Sequence, residues 1–173
     1  MKYYIIAFIT VLLSCDTQTK NIENIESIVD IKQQTSIFEN LIVVTNNDID
    51  SGIINDSLAF LILPLEASCP SCRNKVIDSI AKHGNDLLPN HFIILSANGG
   101  KKKFSGYFKA RGYDLPTVGK FLFLDSNNTS NVLKLYDMKP TFFYTSKKKV
   151  FRKVSSTPAS VKQDLNDFFT KVK

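Results

Sequence analysis

Cys69-Pro70-Ser71-Cys72 sets two thiols two residues apart, between a continuous apolar run and an amphipathic segment, and nothing else in the chain limits its fold as tightly. The upstream run, Leu58-Ala59-Phe60-Leu61-Ile62-Leu63, is short and bounded by turn-type residues. It reads as a strand buried on both faces of a sheet. Downstream, Pro70 suits the first position of a helix, where its fixed φ is preorganised and its missing N–H would be unpaired in any case. Cys69 then falls at the N-cap. Val76, Ile77 and Ile80 recur at helical spacing, and Lys82 and His83 precede Gly84, the last-turn cations and terminal glycine of a helix end. A helix from Ser71 to His83 is predicted.

That placement sets the chemistry. A sulfur at a helix N-terminus meets unpaired N–H groups and the positive end of the dipole, which lowers a thiol pKa from ~8.5 towards roughly 3.5–7.5. Cys69 is the expected nucleophile. Cys72, one turn further in, is placed to attack a mixed disulfide and is the expected resolving thiol.

The chain of 173 residues has three cysteines, and the third has a separate explanation. Lys2 is followed by a mostly apolar stretch from Tyr3 to Leu13 that is too short to span a bilayer, and the segment ends Leu12-Leu13-Ser14-Cys15. This resembles the lipobox of bacterial lipoproteins. The resemblance implies a signal peptide over residues 1–14, cleavage before Cys15 and lipid on its sulfur. Two thiols then remain, the adjacent pair. In an exported protein such a pair is either a disulfide or a dithiol that cycles. A structural zinc site needs four ligands, and no second CxxC or paired His motif is present. His83 lies eleven residues beyond Cys72, roughly 16 Å along one helix. No metal is expected.

Further along, His91 to Ser96 reads as a second buried strand reached through the helix, a βαβ unit with parallel strands. Lys101 to Arg111 carries Phe104, Tyr107 and Phe108 on one helical face. Phe121 to Leu124 is a further short strand, followed by a turn at Asp125-Ser126-Asn127-Asn128. Pro140 then precedes the aromatic run Thr141-Phe142-Phe143-Tyr144, which with Val150 to Val154 makes a hairpin around the polar turn 145–149. Ser160 to Val172 is an amphipathic helix. Upstream, residues 16–36 read as a polar tether with a short helix, and Leu41 to Val44 as the first strand of the domain. Asp48, Asp50 and Asp56 lack the loop glycine register of a calcium site and read as solvated turn residues.

This order, with CxxC at the first strand–helix junction and a Pro-Thr before an antiparallel hairpin, resembles the thioredoxin-like superfamily over residues 40–173. It is most similar to membrane-anchored, extracytoplasmic thiol-disulfide oxidoreductases of the TlpA and ResA type. The resemblance implies an α/β fold with a central mixed sheet flanked by helices, and a strand–helix insertion between the CxxC and a cis-proline. Pro140 matches that proline. Substrate would be bound in extended form beside Lys139, Pro140, Pro70 and Ser71. Departures are visible too. No tryptophan is present, Ala67-Ser68 precede the first cysteine, and Leu63 stands where the family has a buried acid. Glu66 is the nearest acidic residue and the candidate proton relay, against its plainer reading as a solvated loop carboxylate.

The expectation is therefore a lipid-anchored, periplasmic protein of the cell envelope. Residues 15–39 form the lipidated cysteine and tether, and 40–173 the domain. A Cys69–Cys72 redox disulfide serves as its only redox group, with no cofactor. Its partners would be exported proteins with disulfides and a membrane electron donor, and the domain would act as a monomer. The formal charge of +6 is carried largely by Lys101–Lys103 and Lys147–Lys149, which fall in expected turns and do not make a nucleic-acid patch. Two alternatives stand beside this reading. One is a thiol-based copper-handling protein, since soft thiolates suit Cu(I). The other is an interaction module whose disulfide is only structural.

Overall fold

Period-two alternation explains why the central strand reads as an unbroken apolar run. In the computed structural model, which describes residues 24–170, this strand is Ala59–Pro64 and is buried throughout. Ala59, Leu61 and Leu63 point into one core, and Phe60 and Ile62 into a second core on the other face of the sheet. A strand sandwiched in this way needs apolar residues at both parities. Residues 1–14, expected as a signal peptide, and Cys15, the expected lipidation site, lie outside the described residues.

In chain order the elements are β1 (Ile25–Ser27), α1 (Ile31–Val44), β2 (Ala59–Pro64), α2 (Pro70–His83), β3 (His91–Ser96), α3 (Lys101–Lys109), β4 (Leu122–Asp125), α4 (Thr129–Val132), β5 (Thr141–Ser146), β6 (Lys149–Ser155) and α5 (Val161–Phe169). A short 3-10 turn, Gly84–Asp86, follows α2. The six strands form one sheet in the order β1-β6-β5-β2-β3-β4. β2, β3 and β4 are parallel, and the remaining pairs are antiparallel.

Helices cover both faces. Val76, Ile77 and Ile80 of α2, Phe104 and Phe108 of α3, and Val161, Leu165 and Phe168 of α5 fill one core. Phe38, Leu41 and Val44 of α1 fill the other, together with Leu135 and Tyr136. A βαβ unit, an added helix and strand, an antiparallel hairpin and a closing helix around a mixed sheet make the thioredoxin-like arrangement. The helix α3 and strand β4, followed by the single-turn α4, lie between β3 and Pro140, where a strand–helix insertion is expected.

Residues 41–44 are a correction. Leu41-Ile42-Val43-Val44 is the last turn of α1, not a strand. Phe38, Leu41 and Val44 repeat at helical spacing and are buried, whereas Val43 on the opposite side is 51% exposed. The helix begins where Asp30 accepts the N–H of Gln33 at 2.7 Å, an N-cap bond. A four-residue apolar run, three of its members β-branched, has too little length to show its period, and the need to cover the second sheet face overrides its β-propensity. β1 pairs with β6, so the folded unit takes in residues before position 40, which itself lies inside α1.

Candidate active site

The site is assembled where β2 ends. Ser68 donates its N–H to the Pro64 carbonyl at 3.0 Å, closing the turn that follows the strand. Cys69 is the N-cap of α2 with Pro70 at the first helical position. Its Sγ accepts the backbone N–H of Cys72 at 3.0 Å, the contact a capping side chain makes with the third helical residue.

Cys69 and Cys72 are joined by a disulfide, with their Cα atoms 5.3 Å apart. The two sulfurs differ in access. Cys69 is partly exposed, while Cys72 is 2% exposed. Pro70 and Ser71 between them are open to solvent. A partner from outside therefore meets Cys69, and Cys72 is reached only from within the pair.

Basic side chains pack around this loop. Arg73 donates from Nη1 to the Leu65 carbonyl at 3.1 Å, and its guanidinium lies 5.1 Å from the centre of the Tyr107 ring, within cation–π range. It thus folds back over the β2–α2 connection. Lys75 reaches the Pro158 carbonyl at 3.3 Å, tying α2 to the approach of α5.

Pro140 enters the sheet beside this loop. Thr141 pairs with Ile62 in the antiparallel β2–β5 ladder, so the residue before it faces the end of β2 from which the cysteine loop leaves. Pro140 is buried, whereas Met138 and Lys139 are exposed. The Pro140 carbonyl accepts the N–H of Ser156 at 2.8 Å, and the Lys139 carbonyl accepts the Thr141 hydroxyl at 3.0 Å. The cis geometry expected at Pro140 is absent: no cis peptide bond occurs among the described residues. The chain enters through Met138 at φ 48°, and the Lys139–Pro140 bond keeps the trans form that is intrinsically favoured by ~0.5–1 kcal/mol.

Glu66 lies in the same connection but faces outward. It accepts a hydrogen bond from Lys103 Nζ and one from the Asn98 N–H at 3.3 Å. The Lys103 bond holds its carboxyl below the ordinary carboxylate value despite some desolvation. Leu63, where the family's acid would stand, is fully buried and apolar.

His91 sits at the start of β3, the opposite end of the strand from the cysteine edge. Its Nδ1 donates to the Phe168 carbonyl at 2.8 Å, and burial pushes its pKa down. Among the described residues, no group of three or more His, Cys, Asp or Glu side chains is arranged to hold a metal ion.

A polar cluster at the ends of β3 and β4 was not anticipated. Asp125 accepts the N–H groups of Thr129 and Ser130 at 2.7 and 2.8 Å and the Ser96 hydroxyl at 2.7 Å. Tyr136 donates its hydroxyl to Asn128 Oδ1 at 2.6 Å, and burial pushes the Tyr136 pKa up. The turn at 125–128 was legible, but its partner Ser96 is 29 residues away in sequence. The cluster fixes the segment leading from β4 towards Pro140.

No protein-family model and no curated protein matches the chain. Solved structures similar to it include a secreted Mycobacterium tuberculosis disulfide oxidoreductase homologous to E. coli DsbE, at 9% identity and a TM-score of 0.40, covering 65% of this chain and 82% of that one. Another is the exposed lipoprotein thioredoxin Etrx1 of Streptococcus pneumoniae, at 15% identity, a TM-score of 0.38, and coverage of 65% and 85%. StoA from Bacillus subtilis is similar at 15% identity, a TM-score of 0.39, and coverage of 65% and 83%. No helix among the described residues is long and apolar enough to cross a membrane.

Proposed function

We propose that the chain is a membrane-anchored thiol-disulfide oxidoreductase that reduces disulfides of exported proteins through Cys69 and Cys72. The observation that carries this reading is the asymmetry of the pair. Cys69 is accessible at the N-cap of α2 with its sulfur receiving the Cys72 N–H, and Cys72 is shielded one turn away.

The cycle starts from the dithiol. The Cys69 thiolate, favoured by the helix N-terminus, attacks one sulfur of a partner disulfide, forming a mixed disulfide and releasing the partner's other sulfur as a thiolate that takes up a proton. Cys72 loses its proton and attacks Cys69 Sγ, which forms the Cys69–Cys72 disulfide and frees the second partner thiol. Two electrons pass to the partner, and a membrane donor of dithiol type returns them. The extended partner segment would lie along the exposed backbone at Lys139 and Pro140, with Pro70 and Ser71 alongside. Glu66, the candidate proton relay, would have to leave its Lys103 contact before it could take up a proton. Cys15 would carry the lipid that keeps the domain at the cell envelope, outside the cytoplasm.

The test is a trapping experiment with a soluble disulfide protein such as insulin. Cys72→Ser should accumulate a mixed disulfide through Cys69, and Cys69→Ser should accumulate none. Stoichiometric Cu(I) binding by the reduced protein without disulfide exchange would favour metal handling instead. An inert pair would leave a structural disulfide.

A further inference from the structure

Positive charge gathers around the cysteine loop. Lys103, in the first turn of α3, donates from Nζ to Glu66 and to the Asn98 carbonyl at 2.8 Å. Glu66 is three residues before Cys69, at most ~11 Å of chain, so the start of α3 stands beside the loop. Lys101 and Lys102 precede Lys103 in the same turn and are exposed. On the β5 side, Thr141 pairs with Ile62. Carried two residues further, that register sets Lys139 level with Pro64, whose carbonyl closes the turn into the loop. Arg73 folds over the same connection through the Leu65 carbonyl.

Few carboxylates offset these cations. No acidic residue lies between Ser96 and Asp114. Glu66 is taken by Lys103, Asp125 is buried among three donors, and Asp164 accepts from Ser156 and Asn24. Asp137, two residues before Lys139, is exposed. Among the described residues, Arg73, Lys101, Lys102 and Lys139 make no ion pair. The three lysines of α3 also stand at the positive end of a helix that has no acid in its first turn and no side-chain cap, where the dipole disfavours cations. The fold gains nothing local from Lys101 and Lys102, and their charge stands beside the approach to Cys69.

We propose that this edge selects partner disulfides flanked by aspartate or glutamate. The inference rests on the reading of Cys69 and Cys72 as an exchanging pair and adds the chemistry of the partner. Carboxylates beside a disulfide are repelled by the Cys69 thiolate as they approach. Lys101, Lys102 and Lys139 offset that repulsion and draw the segment to the loop. The step itself is the exchange set out above: a bond forms between Cys69 Sγ and one partner sulfur as the partner disulfide breaks, and the released thiolate takes up a proton. Because the lysines are exposed, salt weakens the selection.

The experiment measures single-turnover exchange between the reduced full chain, held in neutral detergent, and three disulfide-bonded peptides of equal length that carry Glu, Gln or Lys on both sides of each cysteine. Each rate is divided by the rate with 2-mercaptoethanol, a neutral thiol, to remove the peptide's own reactivity. The Glu peptide should react about 10-fold faster than the Lys peptide at about 20 mM salt, and the ratio should approach unity at about 0.5 M. Lys101→Gln/Lys102→Gln should lower the ratio and Lys101→Arg/Lys102→Arg should keep it. Lys147→Gln/Lys148→Gln, the same loss of charge in the hairpin turn at the other end of β5, should also keep it. Equal rates for the three peptides, or an equal fall of the ratio in the hairpin variant, overturn the selection and leave the exchanging pair intact. Exchange with none of the peptides overturns the redox reading and the selection together.

Discussion

Cys72 donates its backbone N–H to the sulfur of Cys69 across 3.0 Å. The first cysteine is therefore both the cap of α2 and the exposed half of the disulfide, and the conformation that starts the helix is the one that aims the sulfur at unpaired N–H groups. Replacing Cys69 removes a cap as well as a nucleophile. Cys69→Ala is expected to lower stability by ~1 kcal/mol relative to Cys69→Ser, whose hydroxyl caps in place of the sulfur. Both variants should lose disulfide exchange. Urea unfolding of the two under reducing conditions checks the difference.

α1 belongs to the fold. Leu41 is fully buried in the core beneath the sheet, so Leu41→Ala should cost about 2–5 kcal/mol. Val43→Ala, on the exposed side of the same helix, should stay within ~0.5 kcal/mol. Equal costs at the two positions would contradict the helix. A chain beginning at residue 40 lacks β1 and most of α1 and is expected to lose cooperative thermal unfolding.

Asp125 holds the segment between β4 and Pro140 through three hydrogen bonds. Asp125→Ala leaves the N–H groups of Thr129 and Ser130 unpaired and is expected to destabilise the domain by about 2–4 kcal/mol. The altered path to Lys139 and Pro140 should raise KM for a protein disulfide more than it lowers exchange with a small aromatic disulfide. Parallel assays with the two substrates measure the split.

His91 supplies a pH dependence remote from the disulfide. Burial lowers its folded pKa below the ordinary 6.5, so the unfolded chain binds the proton more readily. The stability that neutral His91 contributes is present above pH 6.5 and is lost as the pH falls through the lower folded value. Glu66 acts in the same direction at lower pH. Its folded pKa lies below 4.5, and its contribution is present above 4.5 and lost as the pH falls through the folded value. His91→Gln should flatten the fall in urea midpoint between pH 7.5 and 5.5, whereas Glu66→Gln should leave that interval unchanged.

The parts of the fold that could be read from sequence are those with local signals. The run 58–63 shows burial on two faces, and Pro70, the helical spacing of Val76, Ile77 and Ile80, and Gly84 mark both ends of α2. The hairpin at 141–155 shows its alternation and turn. The remainder depends on contacts distant in sequence. β1 is three residues within a polar stretch, and it is a strand only because β6 lies beside it. Leu41 to Val44 becomes helix because the second sheet face has to be covered. Asp125 gains its role from Ser96, and the Lys139–Pro140 bond is trans where the resemblance implied a cis-proline. In the site, the cysteine pair and its helix were legible, while the Lys103 contact that keeps Glu66 ionised and the turn of Arg73 back onto Leu65 arise only in the folded chain.

The reduction potential of the Cys69–Cys72 pair tests the proposed activity most directly. Equilibration of the soluble domain in glutathione or dithiothreitol buffers should give a value between about −120 and −270 mV, the span of cycling thiol-disulfide proteins. A value below about −300 mV, with Cys69 unreactive towards thiol reagents in the reduced chain, would contradict the account and make the bond a structural staple.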